Sequence, residues 1–522
     1  MKLNFYFLIL SAFVFSGVEA LSQIHQEYTV DENGRVQFLR VPSQAPQTTA
    51  TQSLNPAELN LDWSSPDENV SNHQAVDSWD TRLAVGADNS VNIVYNDNHP
   101  NGLQKIMYRQ KSQGEWSEPI FVDTGGEIGG RNNHAPVIAA SPNGDLHVIY
   151  TVWAFSNFRN YMGYSYYNAA TQSWSEGIKI SDVEGTIDMF DVNALYSTED
   201  NLPVAIWGYD NRENTNVDEI YMTYFDGESW SSDIAVSELS DGFTAYRPRV
   251  SSLGNQTSII LYSEFINSSQ SELRYRIYDE TTHALSEGKA VDLGGIHPTS
   301  YLPLLYNDGN MNMLIGYVQN NHLVFRIAVY NPGTDSFALK DDVFEFPNNS
   351  FRSTAWDCNQ EGDCGIIFTD YSAEQINYMA YSPDTGFSEP LTLVNEDPSL
   401  DTPFAGFDSL GNLHVTWSDL RFYPGSGFLV REIFYKEGKN LSMGVGDVFE
   451  EKVVIYPNPA KDFIMIQTDE KFRVEIFDSS GKLIQTKSIS GTTRLNHSLS
   501  SGVYFIRLNN EKGSLIKKII VK

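Results

Sequence analysis

Two segments of this 522-residue chain gather side chains able to move protons and hold an anion. One is Arg131-Asn132-Asn133-His134-Ala135-Pro136-Val137, the other Thr244-Ala245-Tyr246-Arg247-Pro248-Arg249-Val250. A neutral imidazole accepts a proton, a phenol donates one, and a guanidinium stays cationic at any ordinary pH. A second set consists of carboxylates. Asp80, Asp188, Asp191 and Asp401 could supply the pair that glycoside hydrolysis requires, but sequence spacing does not give their separation. His147 and His414 weigh less. They fill the same slot in Gly144-Asp145-Leu146-His147-Val148 and Gly411-Asn412-Leu413-His414-Val415, and a side chain that recurs with a repeat serves the repeat. Asp97, Asp370 and Asp419 also recur, at strand exits, and read as turn caps. The sequence shows no Ser-His-Asp motif, phosphate loop or metal-binding histidine cluster.

These residues must be positioned by repeats. Similar aromatic signatures end seven successive strand patterns: Ile106-Met107-Tyr108, Tyr161-Met162-Gly163-Tyr164, Tyr221-Met222-Thr223-Tyr224, Tyr275-Arg276-Ile277-Tyr278, Ile327-Ala328-Val329-Tyr330, Tyr378-Met379-Ala380-Tyr381 and Glu432-Ile433-Phe434-Tyr435. Their closing tyrosines are about 51 to 60 residues apart, a propeller or solenoid period. Most repeats then add a turn such as Trp116-Ser117, Trp174-Ser175, Trp230-Ser231 or Phe387-Ser388. Turn residues such as Ser141-Pro142-Asn143-Gly144-Asp145 join apolar runs within a repeat. Seven units of four short strands predict an all-β seven-bladed β-propeller. The seventh unit lacks an obvious fourth strand, so the N-terminal segment is expected to supply it and close the ring.

Ligands would then meet the ends of the innermost strands. That rim holds Asp80 and Arg82, then Asn132, Asn133 and His134, then Asp188 and Asp191, then Tyr246, Arg247 and Arg249. Later repeats add His297 and Tyr301, Arg352, and Asp401. Second-strand exits add Asp97, Trp153, Asp210, Glu264, Asp370, Asp419 and Arg421.

Composition agrees with β-structure and bounds the partners. Aromatics make up 13% of the chain, which suits packing on pleated surfaces. The formal charge of −32 argues against nucleic acid or an anionic membrane. Residues 1–20 read as a secretory signal, with Lys2 before an apolar run and Gly17-Val18-Glu19-Ala20 at the cleavage site. No later apolar run is long enough for a helical membrane span. Two cysteines, Cys358 and Cys364, flank a hairpin turn, and in an oxidising compartment a disulfide between them is expected. No cofactor is required. A structural calcium or other divalent ion is compatible with the acidic stretch from Asp210 to Glu219, but its ligand spacing is irregular and a solvated loop is expected. A monomer is expected.

Residues 21–72 read as an extended leader, broken by four prolines, with a possible strand between Tyr28 and Val41. The propeller is assigned to 73–441, a linker to 442–451 and a second domain to 452–522. Charge marks this last boundary. The final segment has 12 Lys and Arg against 6 Asp and Glu, a net +6, which leaves −38 for the remainder of the −32 total. The segments Val453-Val454-Ile455-Tyr456-Pro457-Asn458-Pro459-Ala460, Val474 to Lys482, Leu499 to Leu508 and Lys517 to Lys522 predict a small antiparallel β-sandwich. They resemble the C-terminal sorting domain of the type IX secretion system. That resemblance implies a Bacteroidetes-type bacterium, the secretion machinery as partner, and release or anchoring outside the outer membrane.

The two proton-handling segments resemble inner-strand motifs of the BNR-repeat propellers that include ulvan lyases, in which a histidine and a Tyr/Arg pair occupy such positions. The resemblance covers roughly Asp77 to Asn440. It implies a secreted polysaccharide lyase cleaving an anionic, uronate-containing, ulvan-like polymer by β-elimination. Elimination needs a cation for the carboxylate, a base and an acid. His134, Tyr246 and Arg249 or Arg247 would form that set. Asn133, Arg82, Trp153, Tyr301 and Arg352 are the rim residues expected to contact substrate. One departure stands out: an arginine is expected at the end of the second strand of the Tyr-bearing repeat, but this chain has Leu261-Tyr262-Ser263-Glu264. Neutralisation then falls to Arg247 or Arg249. Two other readings remain open: a non-catalytic carbohydrate-binding propeller with Trp153, Tyr246 and Tyr301 stacking on sugars, and a glycoside hydrolase using rim carboxylates. A sialidase is disfavoured, because no turn here completes an Asp-box.

Overall fold

The computed structural model describes the backbone of Tyr28–Val30 and Val36–Phe38, and most of residues 61–440 and 454–522. Within those spans it leaves aside 73–76, 99–101, 155–158, 183–185, 188–192, 211–217, 239–243, 296–300, 307–311, 347–350, 396–402, 422–429 and 479–481, with scattered single or paired positions. The expected signal, the expected linker and the rim candidates Asp188, Asp191, His297 and Asp401 lie outside the described residues.

The chain is all-β; one 3-10 turn, Ile128–Gly130, is the only helical element among the described residues. From Ser78 to Asn440, seven consecutive antiparallel sheets follow one another among the described residues. Their first strands are Ser78–Val85, Asn132–Ala140, Thr186–Ile187 with Asn193–Ser197, Ala245–Gly254, Tyr301–Tyr306, Phe351–Cys358 and Phe404–Phe407. The seventh sheet takes its outer strands from the N-terminal side. Leu61–Trp63 pairs with Gly438 to Asn440, and Glu68–Asn69 with Phe434 and Tyr435. The hairpin at Tyr28–Val30 and Val36–Phe38 pairs only with itself among the described residues, so the joining strands lie about thirty residues further along than the leader's composition suggested.

The repeated residues have local reasons. The serine of each Trp-Ser-like turn accepts a backbone N–H of the third strand. Gln110 donates to Ser117 at 3.0 Å, Tyr166 to Ser175 at 3.0 Å, Tyr224 to Ser231 at 3.2 Å and Ala380 to Ser388 at 2.9 Å. The hydroxyl satisfies a donor that would otherwise end its ladder unpaired. Inner turns close as expected: the N–H of Ser141 donates to Asp145 O at 2.8 Å, with Gly144 at φ 89°, a conformation glycine adopts without steric cost. Cys358 and Cys364 sit opposite each other in the sixth sheet and form the expected disulfide.

Apolar side chains fill the junctions between successive sheets. One cluster joins the first and second sheets through Val94, Tyr108, Val148 and Tyr150. Another joins the seventh and first through Tyr435, Ile433, Leu83 and Ile93. Tyr435, Tyr150, Trp207 and Trp417 are almost fully buried. Such burial contributes on the order of 2 kcal/mol per large side chain, which explains the repeated aromatics. The first-strand ends carry the candidate site.

In the tail, Val454–Tyr456, Phe463–Gln467 and Thr493–Asn496 form one sheet, and Lys471–Asp478, Leu483–Ser490, Gly502–Asn510 and Gly513–Val521 form another. Ile464, Ile466, Val474, Ile476, Ile506 and Leu508 share one buried core. Three of these strands, at 463–467, 483–490 and 493–496, were not among the segments picked from sequence.

Candidate functional site

The site is built on a backbone irregularity that recurs in several sheets. Register shifts interrupt the pairing of first and second strands between Trp79 and Arg82, His134 and Val137, Tyr246 and Arg249, and Phe351 and Thr354. In the first three, the residue after the aromatic or imidazole ring takes a left-handed conformation: Asp80 at φ 52°, Ala135 at 49° and Arg247 at 54°. A non-glycine residue held there costs on the order of 1–3 kcal/mol and persists only where its surroundings enforce it. A bulge bends the strand and re-aims its side chains. His134 and Tyr246 therefore occupy the same slot of the second and fourth sheets.

His134 is 8% exposed, and its Nε2 is buried without a hydrogen-bond partner. Its ring lies against Trp153, centroids 5.6 Å apart, tilted by 59°. Burial pushes its pKa down to about 4, so the imidazole is neutral at neutral pH. The Tyr246 ring stacks on Phe265 at 5.2 Å, and the Arg247 guanidinium lies 5.7 Å from its centroid. The Tyr246 hydroxyl is buried beside Ser263 and Ser271 but closes no hydrogen bond of full geometry. Burial raises its pKa, against smaller opposing effects of Ser271, Arg247 and Ser263, and it stays protonated. One imidazole nitrogen and one phenol hydroxyl are thus left buried and unsatisfied among the described residues, the ring neutral and the phenol protonated. Burying such groups unpaired costs about 1–3 kcal/mol each, which makes them the exceptions that call for an explanation.

The other candidates divide. Arg249 is half-buried and donates from Nη1 to Pro248 O at 2.9 Å. Trp153 forms the wall beside His134. Tyr301 and Arg352 are placed only by strand position: Tyr301 pairs with Tyr317, and Arg352 lies within the bulge of the sixth sheet. Asn133 and Arg82, expected to touch substrate, are instead engaged within the fold. Asn133 is fully buried and donates to Asp123 Oδ2. Arg82 is 5% exposed, pairs with Asp80 at 2.8 Å, donates to Thr81 O and lies 4.9 Å over the Phe404 ring. That ion pair also occupies Asp80.

Glu264 stands where an arginine was expected. It is 8% exposed, its pKa is raised by burial, and its Oε2 lies 3.5 Å from Arg274 Nε. Arg274 also pairs with Glu272 at 3.0 Å. This third-strand arginine was not singled out from sequence, because only cross-strand pairing brings it near the second-strand exit. Asn96, which binds both sides of His134, was missed for the same reason.

The recurring histidines serve their own sheets, and Asp370 and Asp419 cap turns as expected, whereas Asp97 accepts from the Ser78 hydroxyl on the paired strand at 3.2 Å. His147 contacts Ser141 Oγ at 2.9 Å and the Tyr164 hydroxyl at 2.8 Å; His414 contacts the Tyr435 hydroxyl at 2.7 Å. Asp370 accepts from Ala373 N, and Asp419 from Arg421 N at 3.0 Å. Among the described residues, no three His, Cys, Asp or Glu side chains gather to hold a metal, and no helix is long and apolar enough to cross a membrane.

The chain resembles several solved structures. A Penicillium chrysogenum alpha-L-arabinanase complexed with arabinobiose aligns at 11% identity over 61% of this chain and 98% of that one, TM-score 0.43. The polysaccharide lyase Uly1 aligns at 10% identity over 76% and 96%, TM-score 0.43. The intramolecular trans-sialidase from Ruminococcus gnavus aligns at 10% identity over 74% and 98%, TM-score 0.38. No curated protein matches the chain. Residues 454–522 match the secretion system C-terminal sorting domain, and the protein thus carries the mark of export through the type IX system to the cell surface or beyond.

Proposed function

We propose that the seven sheets close as a seven-bladed propeller spanning residues 73–441 together with the outer strands from the N-terminal side, and that its rim is the active site of a polysaccharide lyase acting on an anionic, uronate-containing polymer of the ulvan kind. Closure is supported by the cluster joining the seventh and first sheets and by the 3.1 Å contact between Thr81 Oγ1 and Thr416 Oγ1. The observation that carries the chemistry is the pair of buried, unpartnered groups, His134 Nε2 and the Tyr246 hydroxyl, in the same slot of two sheets.

In the elimination, Arg247 or Arg249 faces the uronate carboxylate and stabilises negative charge as it spreads from C5. His134 Nε2 takes the C5 proton. The C5–H electron pair becomes the C4=C5 double bond, the C4–O bond breaks, and Tyr246 protonates the departing oxygen. A pKa near 4 makes His134 a weak base in the free protein. A uronate carboxylate brought alongside it would raise that value and strengthen the base.

The test is to incubate the full chain with ulvan and with other uronate polymers and to follow ultraviolet absorbance of the unsaturated product. A rise with one polymer, lost in Tyr246→Phe, supports the reading. New reducing ends without that absorbance would transfer the site to rim carboxylates. Retention on the polymer without new ends would make it a binding propeller.

A further inference from the structure

We infer that Asn96, on the second strand of the first sheet (Val91–Asn98), is a positioning residue that fixes the bulge carrying His134 in the neighbouring sheet. Its amide Nδ2 donates to Asn133 O at 2.7 Å, and its Oδ1 accepts from Ala135 N at 3.1 Å. These are the two peptide groups that flank His134. Asn96 is fully buried, so water does not compete for either bond.

The carboxamide acts as one residue of an extra strand. It offers a donor and an acceptor side by side, matching the carbonyl of one residue and the N–H two residues on. Only an amide side chain does this. A carboxylate would set a lone pair against the Asn133 carbonyl, and a hydroxyl has a single oxygen where the amide has a donor atom and an acceptor atom set apart. The clamp also bears on the strained residue, since one of its bonds goes to Ala135, at φ 49°. Two bonds across a sheet junction supply what holds that conformation in place.

Two comparisons argue that the clamp serves His134 rather than the repeat. Thr416 of the seventh sheet reaches the first sheet's bulge in the same direction, but through one hydroxyl, to Thr81 Oγ1 at 3.1 Å. Ser263 stands opposite Tyr246 as Asn96 stands opposite Trp79, and its hydroxyl lies beside that of Tyr246 within its own sheet. At His134 the contact is a double hydrogen bond to both flanking peptides. His147 shows the contrary pattern, its slot refilled by His414.

The catalytic consequence rests on His134 acting as the base; the clamp itself does not. The test uses the full chain with 13C-labelled histidine, the His134 ring resonance being assigned by its loss in His134→Gln. Asn96→Ala is expected to displace that resonance and to lower kcat for elimination by about tenfold, with KM changed less than about twofold, because a misplaced base loses rate rather than substrate affinity. Asn96→Asp, of the same shape but unable to donate to Asn133 O, is expected to do the same should the alanine variant not fold. The control is Asn92→Ala. Asn92 is as buried, on the same strand, and bound to Ser90, Tyr108 and Gln110 rather than to the His134 segment. It should leave the His134 resonance and kcat unchanged while destabilising the fold. An unmoved His134 resonance in the Asn96 variants, or an equal displacement in Asn92→Ala, overturns the inference. If the intact protein eliminates no uronate, the lyase reading fails while the resonance comparison still decides the clamp.

Discussion

His134 and His147 stand on paired strands of the same sheet, both buried, and burial pushes both pKa values down to about 4. By burial and charge state the two are nearly alike. They differ in their partners. His147 is held between Ser141 and Tyr164, while among the described residues His134 Nε2 has no hydrogen-bond partner. A depressed pKa marks a buried imidazole, and the missing partner marks one available to a ligand. The same contrast separates the Tyr164 hydroxyl, which meets His147, from that of Tyr246, which lies beside Ser263 and Ser271 but closes no hydrogen bond of full geometry among the described residues.

The sharpest way to break this comparison is to delete each side chain. His134→Ala should lower elimination by about 100-fold or more with little loss of thermal stability. His147→Ala should cost about 2–4 kcal/mol in urea unfolding and leave kcat of the folded fraction intact. Tyr246→Phe should reduce kcat by about 100-fold, since the ring and its stacking on Phe265 survive and only the proton donor is lost. Arg247→Ala should raise KM by about tenfold, and high salt should narrow the gap from the unmodified protein.

The pH dependence sharpens it further. Both folded-state pKa values lie below the ordinary 6.5, so the unfolded chain takes up protons that the folded chain refuses. Their stabilising effect is fully present above pH 6.5 and is lost as pH falls toward 4. The thermal midpoint should fall across that window, and His134→Gln and His147→Gln should each flatten the fall, only the first affecting elimination. The smallest expected effect is Cys358→Ser with Cys364→Ser, about 2 kcal/mol of stability with catalysis unchanged, because that hairpin's disulfide closes a short loop.

Much of the frame was legible in the sequence because it repeats. The closing tyrosines and the Trp-Ser turns recur because each sheet solves one packing problem and one capping problem in the same way. The joining strand at Leu61–Trp63 was legible as a need of the seventh repeat but not in its place, since three residues carry too little periodicity. His134 and Tyr246 stood out by type and by resemblance. Their shared slot was only hinted at by the proline that follows each of Ala135 and Arg247, because the left-handed turns and register shifts show only once the strands are paired. Arg82 and Asn133 were read as ligand contacts because their types fit; in the fold Arg82 pairs with Asp80 across the bulge of its own strand, and Asn133 meets Asp123 of the preceding loop. Asn96 was invisible because its two bonds span 37 and 39 residues of chain.

The most direct measurement is the ultraviolet absorbance of unsaturated uronate released from ulvan by the intact protein, His134→Ala and His147→Ala, compared at equal folded concentration. The account predicts product from the intact protein and from His147→Ala, and none above background from His134→Ala. Equal rates from the two variants would contradict it, as would an intact protein that binds or hydrolyses the polymer without forming the double bond.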